Sequence, residues 1–255
     1  VPAFRPLADL PRDERLAALR DPATRARILD GPRPDDVQAA LEASYDRFFV
    51  LGDPPDYEPG PEASLAALAA SRGRDPLEVA YDTFCADDGT GLLYLPILNY
   101  SEGWSEPTRE MLLHPAAVLG LGDGGAHVGF ICDGSTPTWM LTHWTRDRSR
   151  GERLPLELVV RRQTGDTARL YGLGDRGRVA PGLLADLNVI DHDALRLHRP
   201  EVVHDLPAGG RRLVQGVDGY LATVKSGVIT RRHGERTGAT PGRLVRGARP
   251  EPAAA

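Results

Sequence analysis

Two cysteines in 255 residues, Cys85 and Cys132 in unrelated contexts, exclude a disulfide framework and any Cys-x-x-Cys metal knuckle. No apolar run approaches the roughly 20 residues that span a bilayer, and the N-terminus lacks the basic-then-apolar pattern of a secretory leader. A cytoplasmic chain without membrane partners is therefore expected. Basic residues number 31 against 36 acidic, for a net charge of -5, and they are scattered without an aromatic-interleaved patch. Nucleic acid is thus not an expected partner, and small molecules are. There is no G-x-S-x-G elbow, no G-x-x-x-x-G-K-[ST] loop and no catalytic-cysteine signature, which removes support for serine-hydrolase and nucleotide-hydrolase chemistry. The seven histidines include no His-x-His or His-x-x-x-His pair, and no internal repeat is visible. The opening Val1-Pro2 is what a segment processed or cut from something longer would show.

What is present describes an ordinary globular chain, 41% hydrophobic and 26% charged, able to bury one large core or two modest ones. To about residue 172, helical stretches alternate with short apolar runs, a rhythm that implies α/β structure. Helices are expected from the Asp9-Leu10-Pro11 turn to about Arg20, from Asp36 to Asp46, from Pro76 to about Ala86, from Ser105 to His114, from Thr136 to Asp147 and from Pro155 to Tyr171. Asp75 is placed to cap the third of these, with Pro76 in the first turn and Glu78 reaching back. Arg47 to Leu51 reads as a strand. Gly91 to Leu98 and Ala116 to Leu121 are so continuously apolar that they read as strands buried on both faces, as in parallel sheets. After Gly172 come short β segments between glycine-rich turns: Arg178-Val179, Leu187 to Ile190, Arg212 to Val214, Tyr220 to Val224 and Gly227 to Thr230. The last 15 or so residues read as a loose tail.

The sharpest chemical signal is Gly122-Asp123-Gly124-Gly125-Ala126-His127 at the end of the second apolar run. A strand holds such an aspartate rigidly while flanking glycines let a substrate or metal approach the backbone, which suits a general base. The bland alternative is that Asp123 only closes an Asp-Gly turn. The same stretch matches G-x-G-x-x-G, but a second loop follows it instead of a helix N-terminus, so it is a weak nucleotide signal. His127 and His143 flank the loop and are candidates for substrate contact, against the alternative of hydrogen-bonded structural residues. His114 is expected to cap carbonyls at a helix end, and His192, His198 and His204 to be solvated.

Arg176 to Asp191, RGRVAPGLLADLNVID, resembles the R-G-x-I-x-P-G-x-x-A-D-L-x-V-x-D segment of the metal-dependent amidohydrolase superfamily. Leu154-Pro155-Leu156-Glu157 through Arg161-Arg162-Gln163-Thr164, with Ala168 to Leu173, is similar to the L-P-L-E-x-x-V-R-R-x-T…A-x-x-[FY]-G-L run of its N-acyl-D-amino-acid deacylase (D-aminoacylase) branch. Gly122-Asp123-Gly124 and His127 fit that branch's [GS]-[SG]-D-G-x-x-H loop after the last barrel strand. The resemblance implies an α/β fold: the last strands and helices of a (β/α)8 TIM-like barrel over residues 1–172, a small β-sandwich segment over 173–240 and a tail over 241–255. It implies an enzyme hydrolysing an amide-type C–N bond of a small-molecule substrate. Asp123 would be metal-associated and shuttle a proton from a zinc-activated water to the leaving amine, with His127 at the mouth of the site.

The superfamily's early His-x-His ligands have no counterpart. About 170 residues precede the β unit, against about 250 for a complete barrel. An inactive partial barrel is therefore expected, with exposed apolar faces that favour association, homo-oligomers included. Two alternatives remain open, a cyclic-amide hydrolase and a non-catalytic binding or assembly module derived from the same fold.

Overall fold

The computed structural model describes residues 2–32, 40, 44–120 and 127–250. Its chain divides into two units, residues 1–105 and 106–255, each a mixture of helices and strands. Among the described residues, no helix is long and apolar enough to cross a membrane.

In the first unit, Arg5–Ala8 (α1), Arg12–Arg20 (α2) and Pro22–Leu29 (α3) precede a two-residue strand, Phe49–Val50 (β1). Leu65–Ser71 (α4), Pro76–Cys85 (α5) and Leu93–Tyr94 (β2) follow. The helix starts are set by local chemistry. The Asp21 carboxylate accepts from Thr24 N at 2.8 Å, Ser64 Oγ from Ala67 N at 3.2 Å and Asp75 Oδ1 from Leu77 N at 2.8 Å, each satisfying a donor that a helix N-terminus would leave orphaned. Glu78 does not reach back to the Asp75 cap as expected; it faces Arg25 and Arg74 at 3.4 and 3.5 Å. The core of the unit is Leu65, Ala69, Val79 and Ala80, with Tyr45, Phe48 and Leu93 packed against it. The helix expected over 36–46 falls mostly outside the described residues.

In the second unit, Glu106–Leu113 (α6), Thr136–Thr142 (α7) and Leu156–Arg161 (α8) carry a core of Met140, Leu141, Trp144, Leu154, Val159 and Leu195. Two of these helices widen into π-helical turns, His143–Asp147 after α7 and Arg162–Asp166 after α8, and Thr167–Leu170 (α9) continues the latter. The β region contains Leu187–Ile190 (β3), Arg196–Leu197 (β4), Glu201–Leu206 (β5), Gly210–Val214 (β6) and Val217–Asp218 (β7), then Tyr220–Lys225 (β8), Val228–Arg232 (β9) and Glu235–Arg236 (β10). These form an antiparallel sheet in the order β10-β9-β8-β3 and two antiparallel pairs, β4-β7 and β5-β6. Helices and sheet share the core: Ile190 and Tyr220 pack on the Trp144 cluster, and Thr138 Oγ1 lies 2.9 Å from Tyr220 Oη.

Two apolar runs behave differently from expectation. Gly91 to Leu98 contributes only Leu93–Tyr94, paired antiparallel with Phe49–Val50, while Ile97 and Leu98 are 62% and 79% exposed. Pro96 has no N–H to give a ladder, and the ladder stops short of it. Residues 116–120 form no strand, and Val118 is 44% exposed; the Ala116 N–H and the Ala117 carbonyl are taken up by side chains, as described below. Arg178-Val179 is likewise outside any strand, with Val179 87% exposed.

Candidate active-site loop

Asp123 and its neighbours in 121–126 lie outside the described residues, so the site is described through its flanks. On the upstream side, the buried Arg162 acts as a clamp. Its Nη2 donates to His114 O at 3.0 Å and its Nη1 to Ala117 O, while its guanidinium also sits 3.8 Å from Asp166. A guanidinium presents several donors in a fixed plane, which suits two carbonyls at the end of α6. Ala116 N donates to His114 Nδ1 at 3.2 Å. The His114 ring is therefore an acceptor for the turn; it is not the expected donor to helix carbonyls. These bonds fix the path entering the loop without a sheet ladder.

On the downstream side, Leu213 N of β6 donates to Val128 O at 2.7 Å. His127 has φ +50°, a left-handed conformation uncommon outside glycine, and its carbonyl accepts from Phe130 N and Ile131 N, both at 3.0 Å. Its exposed ring lies 5.3 Å from that of Phe130. His143 is half-buried, stacked on Trp139 at 4.5 Å and 13° and edge-on to Trp144 at 5.3 Å. The two histidines thus have different surroundings: His127 faces solvent on a turn, and His143 is wedged among indoles where the helix widens.

The charged residues around this region serve as braces. Arg148, 1% exposed, lies over the Trp144 ring at 4.7 Å and donates to Glu106 Oε2 at 3.1 Å and Glu152 O at 2.6 Å. Arg109 joins Glu106 at 2.8 Å and also contacts Glu152. Burial of a guanidinium is tolerable only with such partners. Arg146 Nη2 donates to Leu195 O at 2.7 Å, tying the π-turn to the β region. His192 is not solvated as expected: its Nε2 lies 3.0 Å from Thr145 Oγ1 and 3.2 Å from Leu141 O. His198 Nε2 lies 2.9 Å from Asp218 Oδ2. Cys132 is a free thiol pushed up by burial and then by the charge of Asp133, so it stays protonated and is a poor nucleophile or metal ligand near neutrality.

Among the described residues, no group of three or more His, Cys, Asp or Glu is arranged to hold a metal ion. The side chains described do not fit zinc.

Sequence patterns singled out Arg162 and Asp186 as parts of motifs but did not show their work. Asp186 accepts from Lys225 Nζ at 2.9 Å, Ser226 N at 2.8 Å and Arg176 Nη1 at 3.1 Å. It locks the β8–β9 turn to the Arg176 turn. Burial alone would raise its pKa, but the Lys225 ammonium, the Ser226 N–H and Arg176 outweigh that and hold it below the usual carboxylate range.

A sequence model of the Amidohydrolase family matches residues 5–231. Among solved structures, D-aminoacylase matches at 24% identity with a TM-score of 0.38, over 76% of this chain and 36% of that one. A D-aminoacylase mutant in complex with copper chloride matches at 23% identity with a TM-score of 0.39, over 78% of this chain and 37% of that one. The chain thus spans little more than a third of the length of these structures. No curated protein matches it.

Proposed function

Because this chain belongs to the amidohydrolase family, we propose that it is part of a hydrolase of amide-type C–N bonds in which Asp123 carries the proton. The Asp123 carboxylate takes a proton from water as the water oxygen bonds to the carbonyl carbon. It returns that proton to the amide nitrogen as the C–N bond breaks, leaving a carboxylic acid and an amine. His127, exposed on its turn, and His143, held against Trp139, contact the substrate. The observation that carries this reading is the family match over 5–231, which takes in the Gly122-Asp123-Gly124 loop. The clamp at His114 and Ala117 and the Val128–Leu213 bond support it, since a proton shuttle works only when held in place.

Residues 1–172 are read as the closing part of a barrel and 173–240 as part of a β-sandwich, with 241–255 as a tail. On the resemblance of the loop to D-aminoacylases we read zinc as the cofactor, and the superfamily's His-x-His ligands have no counterpart among the 255 residues. The 255-residue chain alone is accordingly inactive.

Asp123→Asn, placed in a form of the protein that hydrolyses N-acetyl amino acids, should lower kcat about 10²–10⁴-fold with little change in KM. A loss smaller than about tenfold removes Asp123 from proton transfer. For the isolated chain, metal analysis and the same assay, run beside a cyclic amide, should show neither stoichiometric zinc nor turnover. Finding both would overturn the claim of inactivity and leave the role of Asp123 to the first experiment.

A further inference from the structure

The first unit contains a cleft of about 420 Å³, within the range of small-molecule sites. Helix α2 contributes Arg12, Arg15, Leu16 and Leu19, and α5 contributes Tyr81, Phe84 and Cys85. In each case the spacing places these residues along one helical face. Phe4 and Ile28 complete the apolar wall, and Gly89 and Gly91 line one side. At Gly89, φ +77°, a Cβ would come within 3.3 Å of Leu16 Cδ1, and at Gly91 it would collide with Thr83 O at 1.8 Å. Phe84 is half exposed and Phe4 is 38% exposed, so the mouth of the cleft is apolar as well as its wall.

The arginines give the cleft its polarity. Arg12 Nη2 donates to Asp88 O at 2.6 Å and Arg15 Nη1 to Ala8 O at 3.0 Å. Both partners are neutral carbonyls, and among the described residues neither guanidinium is paired with a carboxylate. Elsewhere in the unit arginines do find carboxylates, as Arg74 with Asp82 at 2.6 Å and Arg25 with Glu78 at 3.4 Å. A guanidinium keeps its charge at any ordinary pH and pairs a carboxylate with two parallel bonds.

We propose that this cleft binds an amphipathic monocarboxylate, its alkyl chain among Leu16, Leu19, Ile28 and Phe84 and its carboxylate on Arg12 and Arg15. The site stands apart from the hydrolytic reading in one respect that matters for testing: none of its residues takes part in the proton transfer assigned to Asp123.

The test is calorimetric titration of the 255-residue chain with decanoate and with decanol, both below micelle formation. Alkylation of Cys85 in a Cys132→Ser chain, whose only thiol lines the cleft, gives a second readout. Decanoate should bind saturably and slow Cys85 alkylation. Arg12→Ala and Arg15→Ala should each weaken decanoate about tenfold, roughly one charge-assisted hydrogen bond, and decanol should show no saturable binding to the unaltered chain. Absence of saturation in the unaltered chain overturns the proposal. Decanol binding as well as decanoate overturns it too, and would mark the cleft as a seat for apolar polypeptide. Both outcomes are read without any variant, so a misfolded mutant cannot obscure them.

Discussion

The two units treat their arginines differently. In residues 106–255 the conspicuous ones are committed to the fold: Arg148 to Glu106, Arg146 to the Leu195 carbonyl, Arg162 to His114 and Ala117. In residues 1–105, Arg12 and Arg15 bond only neutral carbonyls among the described residues, at the rim of an apolar cleft. Charge in a motif is therefore a poor guide to chemistry, because a buried cation must be paired before it can do anything else. The residues of the most recognisable segments, Arg162 and Asp186, are braces, and the less recognisable segment contains the open site.

The largest test of this contrast is in the cores. Trp144→Ala removes a fully buried indole together with its cation–π partner contact, and should cost about 3–5 kcal/mol. Leu65→Ala in the other unit should cost about 2–5 kcal/mol. If chemical denaturation shows each substitution lowering a separate transition, the units keep independent cores; a common shift breaks that picture.

Next is Arg162→Ala, which takes the guanidinium donor from the Ala117 carbonyl at the entrance to the Asp123 loop, while the His114 carbonyl keeps its bond from Ala117 N, and should cost about 1–3 kcal/mol. Arg162→Lys, a point charge on a flexible stem, should recover less than half of that. Full recovery would mean the site needs only positive charge.

Asp186→Asn should cost about 1–2 kcal/mol at neutral pH, and the loss should depend on pH. The folded carboxyl titrates below its unfolded value of 3.8, so its contribution is fully present above that value and fades as pH falls through the folded pKa. Unfolding curves of the parent and variant should therefore converge at acid pH; a constant gap would assign the effect to packing. The smallest effect expected is about 1 kcal/mol for Ser64→Ala, the cap of α4, and it should appear only in the transition that Leu65→Ala moves.

Local patterns were easiest to read. The ends of α2 and α5, the helical stretches containing α7 and α8 though not their π-turns, and β3, β8 and β9 were legible because caps, prolines and periodicity act over a few residues. The apolar runs at 91–98 and 116–120 misled, since continuous apolarity shows that a segment could be buried between neighbours but not that the neighbours pair with it. The short strands β4, β5, β7 and β10 went unread because their residues, such as Arg196-Leu197 and Glu235-Arg236, have little β character alone and are drawn into ladders by their partners. At the candidate site, the glycines of the sequence nominated Asp123, which lies outside the described residues. The positions of His127 and His143 were not, because φ +50° and an indole stack depend on chain that folds back from elsewhere.

The amino-acid sequence by itself determined family membership and most helix positions, both of which reside in residue order and short-range spacing. Tertiary structure alone decided which charges are spent as braces, which apolar residues stay exposed and where a cleft remains. Those outcomes depend on which groups far apart in the chain meet, since removing a polar group from water is favourable only when a partner is already there to receive it.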